Sequence, residues 1–292
     1  MPNLNKNLVV ALARLTARAV GQLSKDEVEQ VARHIGHQRQ LPCAEEFAFF
    51  AKCLQTEYFG ISNRTAENGE LWMMKATAPL AFKTVFDVGA NVGKWTTHLL
   101  GQHPAASVHC FEIVPTTFSI LSENLKDKAS QVVLNQFGLG ESDAEITMHV
   151  DPNNLTISSA YDFGSQDGKV QVLCKIRSAS DYFKTAGLKG IDFLKIDVEG
   201  AEAMVIRGFR DQLAARQVRL LQFEYNRGSL ESGVLLKDFY AMLKPLGYQL
   251  GKLYPNGVKF QDYSWEHEDF MGPNYVACLP DDRELIKLIS IR

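Results

Sequence analysis

Apolar positions along the chain change period near its middle, and that change divides it. Leu8, Leu12, Leu15 and Val20 recur at helical spacing. Ser24 and Glu27 in "SKDE" have the offset of a capping box and predict the start of a second helix. Pro42 opens a third, which carries Phe47, Phe50 and Leu54. From about residue 84 the pattern turns to short β-branched and apolar runs: "TVFDV", "SVHCFE", "VVLNQFG", "IDFLKID", "VRLLQFEY" and "NYVACL". Helical segments such as "KWTTHLLGQ", "TTFSILSENLKD", "AEAMVIRGF" and "LLKDFYAMLKPLG" alternate with them. Alternation of this kind predicts a mostly parallel, doubly wound α/β sheet with right-handed crossovers. "EITMHVD" and "KVQVLCKIRS" flank the polar loop 152–169 and read as an inserted antiparallel hairpin. The predicted organisation is a helical extension over 1–60 and an α/β domain over 61–292.

Composition narrows the partners. With 34 acids against 31 bases and a net charge of −3, the chain has no basic surface for a nucleic acid. The five cysteines are scattered without a C-x-x-C pair, which argues against a zinc site or disulfide framework and for a reducing, cytoplasmic setting. No apolar run reaches the ~20 residues of a membrane span. Residues 1–25 hold Lys6, Arg14, Arg18 and Lys25 and no acid. They read as an amphipathic helix packed on the rest of the protein, with a membrane-surface or organelle-targeting helix as the alternative. The helical extension as a whole is expected to build a homo-oligomer interface or close over the substrate.

The chemistry concentrates at predicted strand ends. "VFDVGANVGKW" places Gly89 and Gly93 between a strand and a helix, where glycines let the backbone approach a ligand. The G-x-G-x-x-G spacing of a pyrophosphate seat is absent. Glu112 ends the second strand 19 residues after Gly93, where an acid accepts from ribose hydroxyls. A nucleoside cofactor without phosphate, S-adenosylmethionine, suits that pair of features. Asp87 is then expected to face the cationic amino-acid end of that cofactor.

The stretches "VFDVGANVGKWT", "CFEIVPTTF", "NQFGLGESD", "LKIDVEGAE", "QFEYN" and "NYVA" resemble, in this order, the FkbM-like methyltransferases of the class I, Rossmann-like group. The resemblance covers about residues 84–280. It implies an O-methyltransferase acting on a hydroxyl of a saccharide or small natural-product acceptor. It also implies that Gly89, Asn91 and Gly93 line the methionine moiety, that Glu112 takes the ribose, and that Phe137 and Gly138 lie near the adenine.

In such a sheet the first strand lies beside the fourth and the fourth beside the fifth, so Asp87, Asp197 and Glu224 would gather along one rim that faces the sulfonium and the incoming hydroxyl, with Asp197 also touching the cofactor. Asp197 is the first candidate for a general base, with Glu224, Glu199 and His149 behind it. Alternatively Asp197 and Glu224 hold a magnesium ion that acidifies the acceptor hydroxyl. Glu202 reads as a helix-terminus acid. The acceptor is expected against the loop 151–169, with Ser158 and Ser159, and against the segment 254–274, with Tyr263, Trp265 and Phe270. A catalytically silent, cofactor-binding scaffold is the rival reading.

Overall fold

Ser24 opens the second helix as its spacing predicts, its backbone N–H donating to Glu27 Oε2 at 2.8 Å. The computed structural model describes residues 6–37, 44–59, 61–62, 64–150, 158–159, 170–270, 272 and 274–291. Contacts divide the chain into two units, Met1–Glu57 and Tyr58–Arg292. The first contains α1 (Lys6–Val20), α2 (Lys25–His37) and most of α3 (Ala44–Phe59). Pro42, expected to open α3, lies outside the described residues. Leu15, Phe49 and Leu54 of these helices are exposed. No helix among the described residues is long and apolar enough to cross a membrane.

The second unit begins with α4 (Glu70–Thr77) and is organised by strands β1 (Thr84–Val88), β2 (Ser107–Phe111), β3 (Val132–Asn135), β4 (Gly138–Gly140), β5 (Ala144–Val150), β6 (Ser158–Ser159), β7 (Val170–Ser178), β8 (Ile191–Ile196), β9 (Val218–Glu224), β10 (Gln249–Tyr254), β11 (Gly257–Phe260) and β12 (Asn274–Cys278). Between and after them run α5 (Lys94–Gln102), α6 (Pro115–Asn124), α7 (Ala179–Thr185), α8 (Glu202–Gly208), α9 (Arg210–Ala214), α10 (Gly228–Ser232), α11 (Leu236–Leu243) and α12 (Arg283–Ile289). The main sheet has the order β11-β10-β12-β9-β8-β1-β2-β3. β3, β2, β1, β8 and β9 are parallel, and β12 runs antiparallel to both of its neighbours. The expected α/β sheet is present, with β1 beside β8 and β8 beside β9.

Strand periodicity explains why both faces are covered. In β1, Val85 points into the core layer of Met73, Leu99 and Leu285, while its neighbour Phe86 points into the layer of Val205, Phe209 and Phe239. Helices therefore pack on each side, and the loops at the carboxyl ends of the parallel strands are left to build a crevice.

The inserted hairpin also forms, β5 pairing antiparallel with β7 over Ala144–Val150. Two details differ from expectation. "VVLNQFG" is two strands: the chain leaves the main sheet at Asn135, whose Nδ2 donates to Cys110 O and Val133 O at 3.2 Å, and β4 pairs with β7 instead. The segment 254–274 is not a long free loop, since residues 257–260 form the edge strand β11.

Candidate active site

The carboxyl edge of the main sheet carries a row of buried polar side chains. Strand register places Asp87 beside Lys195, and Lys195 beside Gln222. Asn274 pairs with Glu224 on the next strand. A lysine inside the apolar run "IDFLKID" would be costly alone. Here Lys195 Nζ donates to Asp87 Oδ1 at 3.0 Å and to Gly89 O at 3.1 Å, and lies 3.4 Å from Asp197 Oδ2. Burial pulls the lysine pKa down, but Asp87, Asp197 and Glu70 outweigh it and hold the ammonium charged above the ordinary lysine range.

Lys195 is thus the counter-charge that the strand-end acids need. It also corrects the expectation for Asp87. That carboxylate is 0% exposed, with Oδ2 accepting from Thr96 Oγ1 at 2.6 Å, and it does not line the crevice. Lys195 lines the cavity, and Asp87 lies behind it.

The cavity above the edge has a volume of about 1180 Å³. Gly89, Asn91, Glu112 and Gly138 line it after β1, β2 and β3, and Asp197, Glu199 and Glu224 line it after β8 and β9, between those and β12 in the strand order. Glu112 is fixed by its own loops: Oε2 accepts the Asn91 N–H at 3.0 Å and Oε1 the Val114 N–H at 2.9 Å. Trp95 Nε1, in the cavity wall, is buried without a partner among the described residues.

Gly89 has φ +81°, and a Cβ there would stand 1.8 Å from the Asp197 carbonyl oxygen. Gly89→Ala is expected to cost at least about 1–3 kcal/mol from backbone strain alone, and more from the clash. Urea unfolding measures this, and a variant as stable as the parent would contradict the packing described.

Three oxygen atoms, one each from Asp197, Glu199 and Glu224, lie within 4.8 Å of one another. Burial and the Asp197 charge push Glu199 up to about 7, against a hydrogen bond from Asn226. Burial, followed by Asp197 and Glu199, holds Glu224 well above the usual carboxylate range, and its Oε2 is buried without a donor among the described residues. Glu199 itself has φ +53° and lines the cavity. Glu202 is structural, as expected: its carboxylate accepts N–H groups of Val198 and Gly200 at 2.9 and 3.0 Å.

Other expected residues fall elsewhere. Gly93 caps α5 with φ +83° and packs on Leu121, away from the cavity. Phe137 packs on Phe111 and Tyr182 beneath Arg177. His149 is on β5 between Met148 and Val150; Ile146 and Met148 line the cavity, so the strand's alternation turns His149 to the other face. No base can be made of it there.

The aromatic segment is tied down. Glu268 accepts from the Tyr263 hydroxyl at 2.9 Å, from the Tyr225 hydroxyl, and from the first N–H groups of α11. Phe270 packs against Tyr225 with its ring tilted by 32°, and Trp265 is 77% exposed. Among the described residues of 254–274, only Asn274 lines the cavity. The loop 151–169 lies outside the described residues except for β6, whose side chains are also outside them.

Sequence reasoning missed Lys195, Gln222, Asn274, Asn68 and Glu70. The available signal was a polar residue set among apolar ones near the end of each strand, as in "FLKI" and "LLQFE".

The profile of a family described as "Methyltransferase FkbM domain" matches residues 87–250. "Methyltransferase 1" of Beauveria bassiana is 30% identical over 146 residues, covering 44% of this chain and 59% of that protein. "2-O-methyltransferase NoeI" of Sinorhizobium fredii is 27% identical over 190 residues, 60% of this chain and 76% of that protein. The chain thus spans about six tenths of the length of the Beauveria relative. The crystal structure of a methyltransferase FkbM from Methylobacillus flagellatus KT aligns with 81% of this chain and 59% of its own, at 15% identity and TM-score 0.45.

Proposed function

The chain belongs to the FkbM methyltransferase domain family, and from that premise we propose that it is an S-adenosylmethionine-dependent O-methyltransferase. The acceptor is a hydroxyl of a saccharide or small natural product. One observation carries the reading: Asp197, Glu199 and Glu224 converge in the middle of a cavity whose one half is built by Gly89, Asn91 and Glu112. A relative named as a 2-O-methyltransferase supports oxygen as the accepting atom.

The residues present fit that cofactor. Glu112 would hold ribose hydroxyls, Gly89 and Asn91 would follow the methionine part, and Gly138 would lie near the adenine. When bound, the cofactor supplies an electrophilic methyl group on a sulfonium. The protein's part is then to hold the acceptor oxygen in line, keep water out and take its proton. Asp197 and Glu199 are the carboxylates for the last task, while burial holds Glu224 well above the usual carboxylate range. A base is most useful when its pKa is near the working pH, which Glu199 at about 7 satisfies.

The sign of the pH dependence follows. A raised carboxyl is protonated below its pKa and cannot accept a proton, so kcat should rise with pH and level off above about 7. Glu199→Gln should remove that limb. A rate independent of pH between about 6 and 8 would count against Glu199 as the base.

The same trio favours a second reading. Three carboxylates at this spacing suit a hard divalent cation such as magnesium, which would be held by Asp197, Glu199 and Glu224 and would acidify the acceptor hydroxyl.

Calorimetric titration of the EDTA-treated chain with S-adenosylhomocysteine, with and without magnesium, tests both. Micromolar binding supports the methyltransferase; magnesium-dependent methyl transfer to a hydroxyl supports the metal reading. No binding in either buffer would sink the enzyme and favour a scaffold. The exposed Leu15, Phe49 and Leu54 support self-association through the N-terminal helices. A monomer in sedimentation velocity across the micromolar range would exclude it.

A further inference from the structure

A cofactor seated between Glu112 and Gly89 occupies one half of the cavity and leaves the other half open. The volume of about 1180 Å³ exceeds the ~300–1,000 Å³ usual for one small ligand. Asn68, Glu70 and Asn274 also line the cavity, tied to Gln222 at the β9–β12 end of the strand row, away from β1 and β2.

This wall is built. Asn68, Glu70, Gln222 and Asn274 are 4%, 6%, 1% and 5% exposed, so each is more than nine-tenths buried. Gln222 Nε2 donates to Glu70 Oε1 at 2.6 Å and to Asn274 Oδ1 at 3.0 Å. Asn68 Nδ2 donates to Glu70 Oε2 at 2.9 Å, and the Glu70 N–H returns a bond to Asn68 Oδ1 at 3.1 Å. With Oδ1 taken by Gln222, the Asn274 amide is locked in one orientation. Its Nδ2 then faces the cavity, and no partner holds it among the described residues. An amide fixed in this orientation offers its N–H to whatever enters the cavity, with no rotation to be frozen on binding.

Position and charge narrow that ligand. Asn274 pairs with Glu224 across β12 and β9, about 4.8 Å apart as neighbouring strands are. A group at Asn274 is therefore within one sugar ring's reach of an oxygen held at the carboxylates. Glu70, Glu112, Asp197, Glu199 and Glu231, leaving Glu224 aside, line the cavity, against Lys94, Lys195 and Arg227, and Lys195 is already paired. An anionic acceptor would meet like charge.

We propose that Asn274, anchored by Gln222 and Glu70, is a specificity-determining contact that donates through Nδ2 to a second hydroxyl of an uncharged, polyhydroxylated acceptor ring. This rests on the methyltransferase reading.

The test uses the full chain saturated with S-adenosylhomocysteine, titrated with a panel of methyl hexopyranosides and their 6-phosphates and followed by saturation-transfer NMR. At least one neutral glycoside should bind, and its phosphate at least tenfold more weakly. Asn274→Asp keeps an oxygen for Gln222 and removes the donor, so it should weaken the glycoside about tenfold with S-adenosylhomocysteine affinity unchanged. Asn274→Ser, which returns a hydroxyl donor, should recover part of the loss. Equal glycoside binding by Asn274→Asp, equal binding of the phosphates, or no glycoside binding beside intact S-adenosylhomocysteine binding would each overturn the subsite alone. Absence of S-adenosylhomocysteine binding by the unmodified chain would instead sink the methyltransferase reading, and the subsite with it.

Discussion

Lys195→Met is expected to lower the unfolding free energy by about 3–5 kcal/mol, because it strands a charge rather than merely deleting one. Asp87 is fully buried, and Lys195 is its counter-ion at 3.0 Å. Thr96 alone would remain to satisfy its carboxylate. Asp197 loses its neighbouring cation as well, so the rim above the pair becomes a set of acids with no buried positive charge among them.

The size of the effect distinguishes this pair from the ion pairs on the surface. Arg64 with Glu67 lies in solvent, where such pairs contribute about 0–1 kcal/mol. Methionine matches the lysine stem in length, so lost packing is a small part of the change. Equilibrium urea unfolding of Lys195→Met, Asp87→Leu and the double variant separates the terms. The double variant should be more stable than Lys195→Met, since it removes the stranded carboxylate. Lys195→Met within about 1 kcal/mol of the parent would mean that Asp87 is neutral and the pair is not ionic.

The second large effect falls on turnover. Asp197→Asn keeps the shape of the side chain and the backbone N–H that donates to Val88 O at 3.0 Å. It removes a carboxylate from the middle of the cavity, beside Glu199 and Glu224. Under either activation scheme, base or metal, this position is lost. The expected fall in kcat is about 10²–10⁴-fold, the usual range for a positioned proton acceptor. S-adenosylhomocysteine affinity should change far less, because the opposite end of the cofactor half is held at Glu112. Kinetics with a glycoside acceptor, alongside calorimetry of the same protein, gives both values. A kcat within tenfold of the parent would remove Asp197 from the chemistry and leave Glu199 as the base.

How much of this was legible beforehand depends on the range of the interaction involved. Strands and crossovers were readable because β-branched runs and helical periods are local properties, and "KWTTHLLGQ" predicted α5 with the bounds it has, Lys94–Gln102. The capping offset of Ser24 and Glu27 was readable for the same reason. Asp197, Glu199, Glu224 and Glu112 were expected at a ligand edge because acids at strand ends have few roles other than meeting a ligand, a cation or a helix terminus, and all four line the cavity. His149 failed because one residue of strand register decides its face, and that register is set by the partner strand β7. Tyr263 and Phe270 failed because Glu268 and Tyr225, met through tertiary contact, bind them down.

The sequence by itself determined an α/β sheet with a glycine turn after β1 and acids at the ends of β2, β8 and β9, since spacing along the chain specifies each of these. Only the tertiary structure decided which charges meet. Lys195 and Asp87 are 108 residues apart, and Gln222 and Glu70 are 152 apart. Strand order and register bring them into contact, and burial then makes each of these polar groups depend on a partner that no local pattern names.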